Sequence, residues 1–204
     1  MPPAYPPRLL LAMSCDCSSS ADIMNTTNNG KVRIVPFHEA EYASVLTSLA
    51  AAAPAFQQLQ ADQLSQFLFS DGKEVGYGTS ATILGADGVS SRIYGIKKAG
   101  DFIAFQIRAE LIKKPLKIRI SLEITEPIKR SWSVDIDIAT SQIVGGNTQR
   151  DANLAGNIKL LDWSDCVWDC LKKEAPGCVL CLADPDCWIV CAGTAVAGCA
   201  WDCW

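Results

Sequence analysis

From residue 72 to residue 146, apolar and polar positions alternate with a period of two, the spacing of strands with one buried and one wet face. VGYGTSATIL, VSSRIYGIKK, FIAFQIRAELI and LKIRISLEI follow one another, separated by Ala86-Asp87-Gly88, Gly100-Asp101 and Lys113-Lys114-Pro115, which are turn signals. SWSVDIDIAT alternates most sharply, with Trp132, Val134, Ile136 and Ile138 set against Ser133, Asp135 and Asp137. A last short run, Gln142 to Val144, ends at Gly145-Gly146. Successive strands joined by tight turns predict an antiparallel meander. Upstream, a short strand over Lys31 to Val35 precedes HEAEYASVLTSLAAAA, a run of good helix formers. Pro54 interrupts it, and AFQQLQADQLSQFLF then places Phe56, Leu59, Leu64, Phe67 and Leu68 at helical spacing, which predicts a second helix or a kink at Pro54. The expectation for residues 31–146 is an α+β domain, one or two helices packed on the apolar face of a four- or five-stranded antiparallel sheet.

The flanks differ from this domain. Residues 1–30 are Pro-rich and then Ser/Asn/Thr-rich, the chemistry of a tail, and hold Cys15, Cys17 and an Asn25-Thr26-Thr27 glycosylation triplet. The apolar run Leu9 to Met13 is shorter than the roughly seven to fifteen residues of a secretory signal core, and the LAMSC that ends at Cys15 has a lipobox-like form. No stretch reaches transmembrane length. Residues 147–161 are polar and Gly/Asn-rich, a linker, and from Asp162 the composition changes abruptly.

Residues 162–204 hold eight of the ten cysteines: Cys166, Cys170, Cys178, Cys181, Cys187, Cys191, Cys199 and Cys203. No cysteine lies between Cys17 and Cys166. An even number packed into a short segment reads as a disulfide framework and an oxidising compartment. The competing reading is zinc. It has one CxxC, Cys178/Cys181, but no second at ribbon spacing, and the single histidine, His38, is far away in sequence. Three CxxxC pairs put two thiols on one helical stripe, too far apart to bond each other but well placed for a facing helix. Ala175-Pro176-Gly177 ends one helix, and Asp184-Pro185-Asp186 starts another, with Asp184 as N-cap. An antiparallel ladder between them predicts Cys166–Cys191 and Cys170–Cys187, one choice among 105 connectivities. The expectation is a small disulfide-rich α-helical module.

The same segment carries Trp163, Trp168, Trp188, Trp201 and Trp204, and an uncharged run from Ile189 to Ala200, IVCAGTAVAGCA. Such a run is either buried among other elements or presented to something outside. Trp188, Ile189, Val190, Trp201 and Trp204 are the candidate contacts with a membrane or partner, and core packing is the alternative role for the tryptophans. From Asp151 onward three basic residues face eight acidic ones, a net charge of -5, which leaves the rest of the chain at +1 within the total of -4. With no basic stripe, nothing marks a nucleic-acid partner.

WDCLKKEAPGCVLCLADPDCWIVCAGTAVAGCAWDCW resembles the Cys-rich helical peptides of the halocin-type bacteriocin group. The resemblance covers about residues 162–204. It implies a secreted precursor with the mature antimicrobial peptide at its C-terminus, acting at a membrane or membrane-embedded target, behind an N-terminal leader or immunity domain that binds it. Gly145-Gly146 then stands where a double-glycine leader would be cut, although glycines at a strand end ordinarily make a turn. The alternative is a secreted binding or structural protein whose stapled module is never released.

Catalysis is not expected, nor any cofactor. No phosphate loop, GxSxG or HExxH occurs. His38, at a predicted helix start, suits a capping role, and Asp135 and Asp137, two apart on one strand, share a face that could hold a cation or simply be its polar side.

Overall fold

The computed structural model describes residues 32–53, 56, 59–60, 63–85, 88–140, 142–150, 158–174 and 185–204. The alternation from residue 72 onward does form a meander, but its sheet has eight strands rather than four or five. All eight are antiparallel and lie in chain order: β1 (Val32–Val35), β2 (Leu64–Ser70), β3 (Val75–Leu84), β4 (Ser90–Lys98), β5 (Asp101–Lys113), β6 (Leu116–Glu126), β7 (Arg130–Asp137) and β8 (Gln142–Arg150). Helix α1 (Glu39–Ala52) joins β1 to β2, and α2 (Ile158–Glu174) and α3 (Pro185–Cys203) follow the sheet.

One strand comes from a stretch read as helix in the sequence, and another runs longer than expected. From Leu64 on, the second predicted helix is in fact strand β2: Phe67 and Phe69 fall two apart on the buried face, and the strand pairs along its length with β3. The predicted kink at Pro54 and the turn at Ala86-Asp87 lie outside the described residues, as do the predicted 1–30 tail, 151–157 of the predicted linker, Ala175-Pro176-Gly177, Cys178, Cys181 and Asp184. The run ending at Val144 continues as β8 to Arg150, so the boundary expected at residue 146 falls inside a strand. There Gly146 stands opposite Val134, and a Cβ on it would meet the Ser133 carbonyl oxygen at 2.7 Å. Glycine at 146 lets β8 approach β7 rather than turning the chain.

Cross-strand partners share a face, so the register sorts the sheet into two sides. One side carries Phe67, Phe69, Tyr94, Ile96, Phe105, Ile107, Ile120, Leu122, Trp132, Val134 and Ile136, all buried. Helices α2 and α3 lie on it, and one hydrophobic cluster runs through sheet and helix pair together, taking in Val167, Leu171, Trp188, Ile189, Val196 and Trp201. The other side is covered at β3–β5 by α1. Leu49 packs beneath Gly95, within 3.2–3.3 Å of where a Cβ would stand, in a second cluster with Phe56, Ala81, Ile93 and Ala104. Tyr42 anchors this helix, donating from its hydroxyl to the Phe67 carbonyl at 2.9 Å and meeting Tyr77 edge-on at 5.3 Å; burial pushes its phenol up to about 12. His38 is the N-cap of α1, but its side chain makes no capping bond; its backbone N–H donates to Gln66 Oε1 at 2.6 Å.

Across β5–β8 the side away from α2 and α3 is polar. Asp135 is its charged knot, accepting from Arg119 Nε at 2.7 Å and Nη2 at 3.0 Å, and from Lys117 Nζ. The Arg119 guanidinium foremost, helped by Lys117, holds the Asp135 carboxyl at about 2. A carboxylate depressed below its unfolded value of about 3.9 stabilises the fold at higher pH, and that contribution fades as pH falls through the folded value. Chemical unfolding at successive pH values should therefore show roughly 1–2 kcal/mol lost between about pH 4 and pH 2. Asp135→Asn should flatten that part of the profile, and an unchanged profile would remove Asp135 as its source. Asp137, the other carboxylate of the predicted cation pair, instead accepts from the Thr140 backbone N–H at 2.8 Å and hydroxyl at 2.9 Å.

Candidate functional site

The chemistry that distinguishes this chain is concentrated where α2 and α3 meet each other and the sheet. Two disulfides join the helices, Cys166–Cys203 and Cys170–Cys199, with Cα–Cα distances of 5.9 and 5.7 Å. The ladder is antiparallel as expected, but its rungs are not Cys166–Cys191 and Cys170–Cys187. The C-terminal CxxxC of α3, rather than the N-terminal one, faces α2. Cys187 and Cys191 are buried and also disulfide-bonded. Among the described residues no group of three or more His, Cys, Asp or Glu side chains could hold a metal ion.

The candidate contact residues are placed as follows. Trp188 and Trp201, each 2% exposed, and Ile189 are buried in the cluster shared with the sheet, while Val190 and Trp204 are half-buried against it. Trp201 stacks on Phe69 with ring centroids 5.5 Å apart and lies over Gly76. A Cβ at 76 would collide with the indole, so glycine there makes the seat for this ring. Lys98 closes the seat: its Nζ is 4.2 Å from the Trp201 ring centre, donates to the Trp201 carbonyl at 3.3 Å and pairs with Glu74 at 3.2 Å. A cation at the last turn of a helix also meets carbonyls that have no partner within it.

The middle of α3 fits by the reverse device, a small residue on the helix and a large one on the sheet. Gly193 faces Tyr94, and a Cβ there would collide with the phenol ring. The Tyr94 hydroxyl lies 3.5 Å from the Val190 carbonyl, to which it donates, and its ring stacks on Phe105 at 4.9 Å. Burial pushes the Tyr94 phenol up, so it stays a neutral donor. Gly193→Ala should cost about 1–3 kcal/mol through overpacking, and Tyr94→Leu in the same chain should recover part of it. Additive losses in thermal melts of the two single variants and the double variant would show that the ring and the helix are not in contact.

Helix α2 is held by a polar latch. Arg130, its side chain 1% exposed, donates to Ser164 Oγ and, at 2.6 Å, to Asp165 Oδ1, with its guanidinium 4.9 Å from the Trp132 ring centre. Trp168 stacks on Trp132 at 5.7 Å. Arg130, Lys98, Gly76, Tyr94 and Gly193 were not singled out by the sequence reading. The signal for Arg130 was present, since it precedes Trp132 and Val134 by two and four positions and so shares their buried face. The predicted processing pair Gly145-Gly146 lies away from this site, exposed in β8, with Gly145 opposite Asp135.

Two of the cavities that the described residues line stand out by their chemistry. One, of about 560 Å³ on the polar side of β5–β8, has short Ser121, Ser131 and Ser133 among the longer Arg108, Glu110, Arg119 and Glu123. The other, of about 410 Å³, lies where the ends of α2 and α3 meet β5, lined by Asp101, Phe102, Ile103, Pro127, Trp163, Cys203 and Trp204. Among the described residues no helix is long and apolar enough to cross a membrane. No family model, curated protein or solved structure matches the chain.

Proposed function

We propose that the chain is a secreted precursor of a disulfide-stapled, bacteriocin-like helical peptide, and that its sheet domain keeps the apolar helix of that peptide covered until the two part. One observation carries this reading: both described staples join α2 to α3, and strands β1–β8 contain no cysteine, so no described disulfide ties the helix pair to the sheet. Among the described residues, the hold of the sheet on the pair is non-covalent: apolar packing, the Arg130 latch, the Lys98 seat, and the hydrogen bonds Tyr94–Val190 and Trp204–Asp101. A cut in residues 151–157 would leave the two helices cross-linked and free to leave together. Freed, they would present Trp188, Ile189, Val190 and Trp201 on a helix whose run from Ile189 to Ala200 has no charge. The acidic balance of this segment disfavours attraction to anionic lipid headgroups, so a membrane-embedded receptor or apolar insertion is the route.

The experiment is a protease site placed within residues 151–157 of the full chain. After cleavage, non-reducing gel filtration at mild denaturant should separate a cross-linked helix pair from the sheet. The isolated pair should release dye from vesicles or inhibit microbial growth, and adding back the sheet domain should suppress it. No leakage, no inhibition and no rebinding would sink the precursor reading. A second reading, a secreted binding protein with a permanently attached helix pair, is favoured by the single cluster that spans sheet and helices. It expects that the cut chain never separates short of global unfolding.

A further inference from the structure

We propose that the cavity between the ends of α2 and α3 and the start of β5 binds a quaternary ammonium group. Two indoles reach it from different helices, Trp163 from α2 and Trp204 from just past the end of α3, together with one carboxylate, Asp101. Trp204 Nε1 donates to Asp101 Oδ2 at 3.2 Å, which fixes ring and carboxylate relative to each other. The disulfide Cys166–Cys203 ties together the two segments that carry the tryptophans, three residues from one and next to the other. The cage is therefore cross-linked, and none of the described residues lining it is basic.

The chemistry of the lining selects the ligand. Indole faces attract cations, and the attraction is strongest where the cation is poorly hydrated. A trimethylammonium group fits on both counts: its charge is spread over methyl groups, and it has no N–H that would need an acceptor. Ile103 and Pro127 suit the methyls, and Asp101 supplies the opposing charge. A metal ion would find one carboxylate and no further ligand; a primary ammonium would have to leave its hydrogen bonds to water for an apolar wall. The volume of about 410 Å³ is within the range of small-ligand sites. Choline-type headgroups of lipids and free quaternary amines share this chemistry. The proposal does not require that the helix pair be released.

Calorimetric titration of the oxidised full chain tests it, with choline and tetramethylammonium set against 3,3-dimethylbutan-1-ol, which has the shape of choline without the charge. Saturable binding of the two cations, with the neutral analogue at least about tenfold weaker, is the expected result. Asp101→Asn, which keeps an oxygen acceptor for Trp204, should weaken choline by about tenfold with an unchanged melting curve. Trp163→Leu should weaken choline similarly from the other wall, read at a temperature well below its melting point. Sedimentation with phosphatidylcholine vesicles, competed by free choline, would identify a lipid headgroup as the source; binding of free choline with no affinity for those vesicles would identify a soluble amine, and either supports the site. Equal affinity for choline and its neutral analogue, or no saturable binding by any of these probes, overturns it.

Discussion

Trp201→Ala should destabilise the protein by about 3–5 kcal/mol, read as a shift in the midpoint of chemical unfolding at unchanged slope. The ring is buried, stacked on Phe69 and seated over a glycine, so Gly76 beneath it has no side chain to fill the gap. Losing it also strips the Lys98 ammonium of the ring that covers it, leaving that cation with Glu74 and a helix carbonyl. Trp201→Phe should recover more than half of the loss, because a phenyl ring can still stack on Phe69. Gly76→Ala should behave as a partial complement, strongly disfavoured beside the native indole and less so in the Trp201→Ala background, where the Lys97 carbonyl oxygen, 2.9 Å from the added Cβ, still opposes it. A loss below about 1 kcal/mol for Trp201→Ala would mean that the end of α3 is not packed on the sheet in solution.

The sequence displayed most of the sheet and both final helices, and where it misled, two local patterns competed. Leu64, Phe67 and Leu68 fit a helix, while Phe67 and Phe69 fit a strand; antiparallel pairing with β1 and β3 decides for the strand, and pairing partners distant in sequence are invisible to a periodicity. Gly145-Gly146 is a turn signal in isolation. It becomes part of β8 because the backbone of β7 passes close beside it. Pro185 opens α3 as expected, since it lacks only an N–H that the first turn does not use.

The contact surfaces were harder to read. An uncharged run such as Ile189 to Ala200 states that a helix is covered but not by what. The answer depends on Gly76 and Gly193, whose significance lies in the rings opposite them, Trp201 and Tyr94. The disulfide register failed for a related reason. Cys187 and Cys191 sit roughly 120° around the helix from Cys199 and Cys203, so α3 offers two cysteine stripes on different faces. Only the way the helix rolls to seat Trp201 and Gly193 on the sheet selects the second stripe for α2.

That selection sets the last expectation. Replacing Cys170 and Cys199 together by alanine should cost about 2–3 kcal/mol, because with Cys166–Cys203 intact the ring that opens spans only about ten residues, and removing Cys166–Cys203 alone should cost about the same for the same reason. The loss should fall unevenly. The sheet has its own hydrogen-bonded ladder and α1, whereas the described side chains by which α2 docks are Trp163, Val167, Trp168 and Leu171, with the Arg130 latch. Amide exchange should therefore accelerate first in α2, then in α3, and least in β3–β6. In the variant lacking both links, α2 is held by its apolar contacts and, as its described polar tether, by Arg130. Arg130→Met in that background should release the helix, although in the oxidised chain it removes only a latch that the disulfides back up. Uniform acceleration across sheet and helices on breaking the staples would instead show that sheet and helix pair unfold as one unit, and would favour the permanently attached module over the separable peptide.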